Sequence, residues 1–171
     1  TEKVLDRDGW FNTGDLGMLL EDGSLVLTGR AKDTIVLSNG ENIEPGPLEE
    51  VLVASPLVDQ VMLVGQDQRQ LGALIVPNYE FLRSWAYENG FVLNEDLYGS
   101  SPDVSLMRKL RSEINYLLSN RAGSRIDERV MGIAFVQPFT IENGLLTQTL
   151  KQRRERISRR YEADIAAIYE N

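Results

Sequence analysis

Two uninterrupted apolar runs, "QVMLVG" at 60–65 and "ALIVP" at 73–77, constrain this fold more than any other feature of the chain. Both are short and bounded by polar or glycine-containing segments, as expected of strands buried inside a sheet. The intervening "QDQRQLG" is short enough to pair them with each other.

The flanking segments supply hairpins and covering helices. "LGMLL" and "SLVLTGR" surround "EDG", where Gly23 provides the positive φ of a tight turn, so residues 16–30 read as one hairpin. "DTIVLS" runs into Asn39-Gly40, a dipeptide that favours a two-residue type I′ turn, and predicts a second. In "EPGPLEEVLVAS", Pro45 and Pro47 open a short helix. Glu49 and Glu50 are expected in its first turn, with Leu48, Val51 and Leu52 on one face. "NYEFLRSWAYENG" predicts a helix ending at Asn89-Gly90, with Phe81 and Trp85 at least partly buried. Ser101 and Pro102 are expected to start another, whose apolar face is Met107, Leu110, Ile114, Leu117 and Leu118. "GIAFVQP" reads as a further strand and "FTIENGLLTQT" as a loop. Residues 150–171 read as one final helix with Leu150, Ile157, Tyr161, Ile165 and Ile168 on one side. Because these elements alternate without a regular parallel repeat, the expected fold class is α+β, a small mixed or antiparallel sheet flanked by helices.

Composition narrows the chemistry. The 171 residues contain neither Cys nor His, which removes thiolate and Ser-His chemistry, zinc fingers and imidazole bases. Eighteen basic against 26 acidic residues, a formal charge of -8, argue against nucleic acid as a partner. There is no apolar run long enough to span a bilayer and no signal-peptide pattern at the start, so a cytoplasmic setting is expected, with peripheral membrane contact as a further expectation. The absence of an initiating Met suggests a piece of a longer chain.

Three short stretches hold the candidate site residues. In "GWFNTGDLG", Asp15 either caps a turn or offers a carboxylate to two vicinal hydroxyls, as a ribose presents them. Arg30, in "LTGRAKDTIVLSNGENIEP", is a surface cation at a strand end or a partner in the same site. Lys151, in "ENGLLTQTLKQRR", is a solvated cation or a group that reduces repulsion between two reacting anions.

These three stretches, in this order and approximate spacing, resemble the C-terminal signatures of the adenylate-forming enzymes, in their long-chain fatty acyl-CoA synthetase branch. "GRAKDTIVLSNGENIEP" is most similar to the cyanobacterial acyl-acyl carrier protein synthetases. The resemblance implies that residues 1–29 end a large adenylation domain and that residues 30–171 form a small mobile domain. It assigns Asp15 and Arg30 to the ribose of ATP and of the acyl-adenylate, Lys32 to the hinge, Gly40 to the pantetheine channel, and Lys151 to catalysis. The implied activity is ATP-dependent ligation of a long-chain fatty acid through acyl-AMP to a phosphopantetheine thiol, with Mg²⁺ held mainly by phosphates and the large domain. The implied partners are the N-terminal domain and either acyl carrier protein or coenzyme A. Many relatives that use coenzyme A carry Arg where this chain has Asn42, so the acceptor stays open. Arg153, Arg154, Arg156, Arg159 and Arg160 form a docking face for an acidic carrier or a solvated face, ahead of a contact for an anionic membrane surface. A plain coenzyme A ligase and a non-catalytic α+β interaction module are the alternatives. No metal-ligating residues are assigned.

Overall fold

The computed structural model describes residues 7–93, 97 and 103–170. The two apolar runs form β5 (Val58–Val64) and β6 (Leu71–Pro77), paired antiparallel. β7 (Val130–Phe135) joins β6 in parallel, giving a mixed three-stranded sheet in the order β5-β6-β7. The "GIAFVQP" strand therefore starts two residues earlier than its composition suggests and stops before Val136.

The runs are continuously apolar because both faces of this sheet are covered. Val61, Leu63, Ala73 and Ile75 point into one core with Leu48, Leu52, Leu82, Leu110 and Ile114. Met62, Val64, Leu74 and Val76 point into a second core with Phe139, Leu145, Ile157 and Ile168. The first core is roofed by α1 (Pro45–Val53), α2 (Tyr79–Glu88) and α3 (Val104–Ser119). The second is roofed by residues 139–146 and by α4 (Arg154–Arg160) and α5 (Glu162–Tyr169).

Two further pairs of strands precede this body. β1 (Asp15–Leu19) and β2 (Leu25–Arg30) form an antiparallel hairpin with Gly23 at φ 84, as expected. β3 (Ile35–Val36) and β4 (Asn42–Ile43) form the second hairpin. Its turn is not type I′. Only Gly40 has positive φ, Gly40 N–H bonds to the Leu37 carbonyl at 2.9 Å, and Leu37 N–H bonds to the Glu41 carbonyl at 2.9 Å. This is a three-residue loop ending in a left-handed glycine, which spares Asn39 the strained half of a type I′ turn.

Several expectations shift for local reasons. Helix α1 begins at Pro45, so Glu49 and Glu50 fall in its second turn, and Glu49 is drawn instead to Arg154, 2.8 Å away. Ser101 and Pro102 lie outside the described residues. The start of α3 is capped by Asp103, whose carboxylate accepts the N–H groups of Ser105 and Leu106. Trp85 packs against the first core, but Phe81 is 55% exposed because Leu82 and Ala86 form the buried stripe of α2. The long final helix is two helices broken at Tyr161 (φ -109, ψ 28), and residues 150–153 are not helical. Tyr161 leaves the helical path where its ring packs on Phe139, centroids 6.2 Å apart, and its hydroxyl donates to the Gln137 carbonyl. Leu150, expected on the apolar side, has φ 61 and is 67% exposed.

Candidate functional site

The segment Asn12-Thr13-Gly14-Asp15 folds back on itself before β1 begins. Asn12 Oδ1 accepts Gly14 N–H at 2.9 Å, Thr13 Oγ1 accepts Asp15 N–H at 3.1 Å, and Gly14 takes φ 75. Asn12 and Thr13 make these turns, so Asp15 does not cap them. Its carboxylate lies across the hairpin from its register partner Arg30, with Oδ1 3.4 Å from Nε.

The chain leaves β2 through a turn closed on the Arg30 carbonyl, which accepts Asp33 N–H at 2.9 Å and Thr34 N–H at 3.2 Å. Lys32 stands exposed in that turn. Gly14 carbonyl accepts Ala31 N–H at 2.9 Å, which ties the two segments together. Asp15, Arg30 and Lys32 are thus gathered within a few residues of one strand end.

Lys32 also lines an open groove of about 770 Å³ whose floor includes Met62 and Val64 and whose rim includes Arg153, Arg156 and Arg159. The hinge candidate and the arginine segment therefore face the same space, a juxtaposition that no spacing in the sequence signals. The arginines are not equivalent. Arg154 is turned inward, its side chain 18% exposed, bonded to both Glu49 oxygens at 2.8 and 3.1 Å and to the Leu63 carbonyl. It is a structural cation and leaves the proposed docking face, whereas Arg156, Arg159 and Arg160 are exposed. Tyr169, on the wall of this groove, has its hydroxyl 3.2 Å from the Val64 and Gln70 carbonyls, and burial pushes its pKa up to about 12.

Gly40 and Lys151 stand on separate turns. Around Gly40 the space is open, so its glycine is required by φ 86 rather than by crowding. The loop is pinned from the side, by Asn39 to Asp127 at 3.2 Å and by Arg125 to the Asn42 carbonyl at 2.8 Å and to Glu41 at 3.2 Å. Lys151 does not open the final helix as its place in residues 150–171 predicts. Its backbone is instead held within a closed turn, where its N–H bonds to Thr147 Oγ1 at 3.0 Å and its carbonyl accepts Thr147 N–H at 2.8 Å. A bridge between Leu146 and Gln152, and a bond from Gln152 to the Val61 carbonyl at 2.8 Å, anchor that turn to β5. The Lys151 residue itself is exposed. Among the described residues, no three or more carboxylates converge as a metal site, and no helix is long and apolar enough to cross a membrane.

Residues 32–90, from Lys32 through Gly40 to the end of α2, match the family model of the AMP-binding enzyme C-terminal domain. The chain carries an AMP-binding C-terminal domain. Asp15, Arg30 and Lys151 lie outside the matched stretch, but longer similarities take them in. The chain is 36% identical over 180 residues to a chloroplastic long-chain-fatty-acid–[acyl-carrier-protein] ligase of Arabidopsis thaliana, which covers 99% of this chain and 22% of the relative. It is 35% identical over 164 residues to the long-chain-fatty-acid–CoA ligase FadD15 of Mycobacterium tuberculosis, which covers 95% of this chain and 27% of the relative. The adenylation domain of a Segniliparus rugosus carboxylic acid reductase, solved with AMP and a co-purified carboxylic acid, superposes with a TM-score of 0.81 at 29% identity, over 99% of this chain and 25% of that one. The chain spans about a quarter of the length of the curated relatives it matches.

Proposed function

We propose that this chain is the C-terminal portion of an ATP-dependent long-chain fatty acid ligase. The whole enzyme would form acyl-AMP and then a thioester on the phosphopantetheine thiol of acyl carrier protein or coenzyme A. The observation that carries this reading is the pairing of Asp15 with Arg30 at the foot of the hairpin, immediately before Lys32. A carboxylate that spends one contact on a guanidinium keeps acceptor sites for the two hydroxyls of a ribose, and the adjacent guanidinium can donate to the same sugar. Similarity to ligases of both acceptor types supports the substrate class.

Residues 1–29 would then close the large domain, with residues 30–171 as the small one that turns about Lys32. In support, the β1–β2 hairpin forms a sheet of its own and leaves Leu19, Leu25 and Leu27 at 71%, 66% and 66% exposure, apolar surface suited to cover by a neighbouring domain. Lys151 would act on the adenylation step, in which a carboxylate and the α-phosphate must approach while negative charge builds. A preorganised ammonium between them lowers that barrier by about 3 kcal/mol. Gly40 would border the pantetheine channel. Mg²⁺ would travel with the ATP phosphates and the large domain. Exposed Arg156, Arg159 and Arg160 favour an acidic carrier protein as acceptor.

The test is an acceptor assay on the full-length enzyme with ATP and a labelled long-chain fatty acid, offering coenzyme A and holo acyl carrier protein separately. Acylation of the carrier is expected. Transfer to coenzyme A alone would make this a plain coenzyme A ligase. Absence of any adenylate, with Lys151→Ala indistinguishable from the parent, would return the chain to a non-catalytic module.

A further inference from the structure

An unpaired carboxylate oxygen is buried where the hairpin meets the α+β body. Glu44 is the N-cap residue of α1, yet its side chain caps nothing in that helix. An N-cap side chain bonds to the N–H of the second or third helical residue, and the third here is Pro47, which has none. The Glu44 side chain turns the other way. Its Oε1 accepts the Thr34 hydroxyl at 2.6 Å, while Oε2 is buried with no hydrogen-bond partner. Oε2 sits against Gly29 of β2, so closely that a Cβ at position 29 would collide with it. Thr34 in turn ends the Arg30–Thr34 turn that contains Lys32. The carboxylate therefore touches both sides of the candidate hinge.

We propose that Glu44 is a positioning residue for rotation about Lys32: clasped by Thr34 and seated on Gly29, it sets the balance between the arrangement seen here and the rotated one. This inference rests on reading Lys32 as the hinge. A carboxylate oxygen shut away from water without a donor raises the energy of the arrangement that buries it. Swinging the hairpin away from Glu44 admits water to Oε2 and relieves that cost. The bare backbone of Gly29 permits the close arrangement, and the orphaned oxygen keeps it from becoming too stable. A substrate can redirect such an equilibrium only by its differential affinity for the two states, so near-balance is what lets modest binding differences switch the domain.

The experiment measures the two half-reactions of the full-length ligase separately: adenylate formation by ATP–pyrophosphate exchange, and thiol transfer from preformed acyl-adenylate. Glu44→Gln keeps the side-chain shape and removes the charge, so it favours the present arrangement. It should move the ratio of the two rates by about fivefold or more, the lower end of coupling between conformational states. Gly29→Ala disfavours the same arrangement and should move the ratio in the opposite direction. In a Glu44→Ala background, Gly29→Ala should lose most of its effect on both the ratio and the melting temperature, which keeps the contact testable if one single variant folds poorly. Lys32→Pro, which fixes φ at the turn, should also shift the ratio. If Lys32→Pro leaves the ratio unchanged, the hinge reading falls and this proposal with it. If Lys32→Pro shifts the ratio while Glu44→Gln and Gly29→Ala slow both half-reactions in parallel or not at all, the hinge stands and Glu44 is a packing residue only.

Discussion

Asp15 and Arg30 are direct partners across β1 and β2, their charged groups 3.4 Å apart at the point where the chain leaves the hairpin for Lys32. The arginine side chain is 58% exposed and the aspartate 34%, and such pairs contribute about 0–1 kcal/mol to stability. In the full-length enzyme, Asp15→Asn should therefore leave the melting temperature nearly unchanged. It should lower kcat/KM for ATP by about 10- to 100-fold, the loss expected when a hydrogen bond to a charged group goes. Equal losses of stability and activity would make the pair a staple of the hairpin.

Lys151→Ala should reduce adenylate formation by about 10²–10³-fold, as removal of other transition-state donors does. The turn itself should survive, because its closing bonds to Thr147 come from the backbone of residue 151. Circular dichroism and thermal melting of the variant should match the parent while pyrophosphate exchange collapses.

The elements carrying these residues were legible in the sequence to different degrees. Continuous apolar runs point to β5 and β6, which the structure contains, and the ordered motifs single out Asp15, Arg30, Lys32, Gly40 and Lys151 as candidates, because both signals are local. Long-range pairing was not legible. Glu49 looked like a helix-dipole residue, and its partner Arg154 lies 105 positions away. Glu44 was hidden for the same reason, since its contacts to Thr34 and Gly29 depend on how two hairpins stack. The break at Tyr161 escaped because "SRRYEAD" contains no glycine or proline, and aromatic packing on Phe139 overrides helix propensity there. The left-handed Leu150 was equally unsignalled.

The arginine segment should separate into two classes under substitution. Arg154→Met strands the Glu49 carboxylate, 15% exposed, and should cost about 3 kcal/mol in denaturant unfolding. Arg156→Ala and Arg159→Ala should each stay within about 0.5 kcal/mol of the parent. Charge reversal at those two exposed positions should raise the KM for holo acyl carrier protein and leave adenylate formation intact.

Two glycines let α5 approach the sheet. A Cβ at either Gly72 or Gly132 would lie 2.9 Å from Ile168 Cγ2. Gly132→Ala should destabilise the fold by about 1–3 kcal/mol through overpacking. Shortening the opposing side chain with Ile168→Ala should recover part of that loss in the double variant, read from urea midpoints.

Tyr169 gives the fold an alkaline signature. Burial lifts its pKa from about 10 to about 12, so the folded state holds the phenolic proton more tightly than the unfolded chain. Its contribution to stability is complete below pH 10 and declines as pH rises from about 10 toward 12. Unfolding free energy measured across that range should fall less steeply in Tyr169→Phe than in the parent.

The outer strands of the mixed sheet show how this molecule deals with its borders. On β7, the Asn115 amide pairs with both the N–H and the carbonyl of Val130, and Arg111 takes the Met131 carbonyl. On β5, Glu49 and Arg154 receive the N–H and carbonyl of Leu63, Gln152 takes the Val61 carbonyl, and the Gln60 amide bonds reciprocally with the Phe139 backbone. Side chains thus imitate a neighbouring strand over part of each rim. Borders occupied in this way offer little template for recruiting a further strand from another molecule, so the sheet is guarded against fusing with its neighbours through β-addition.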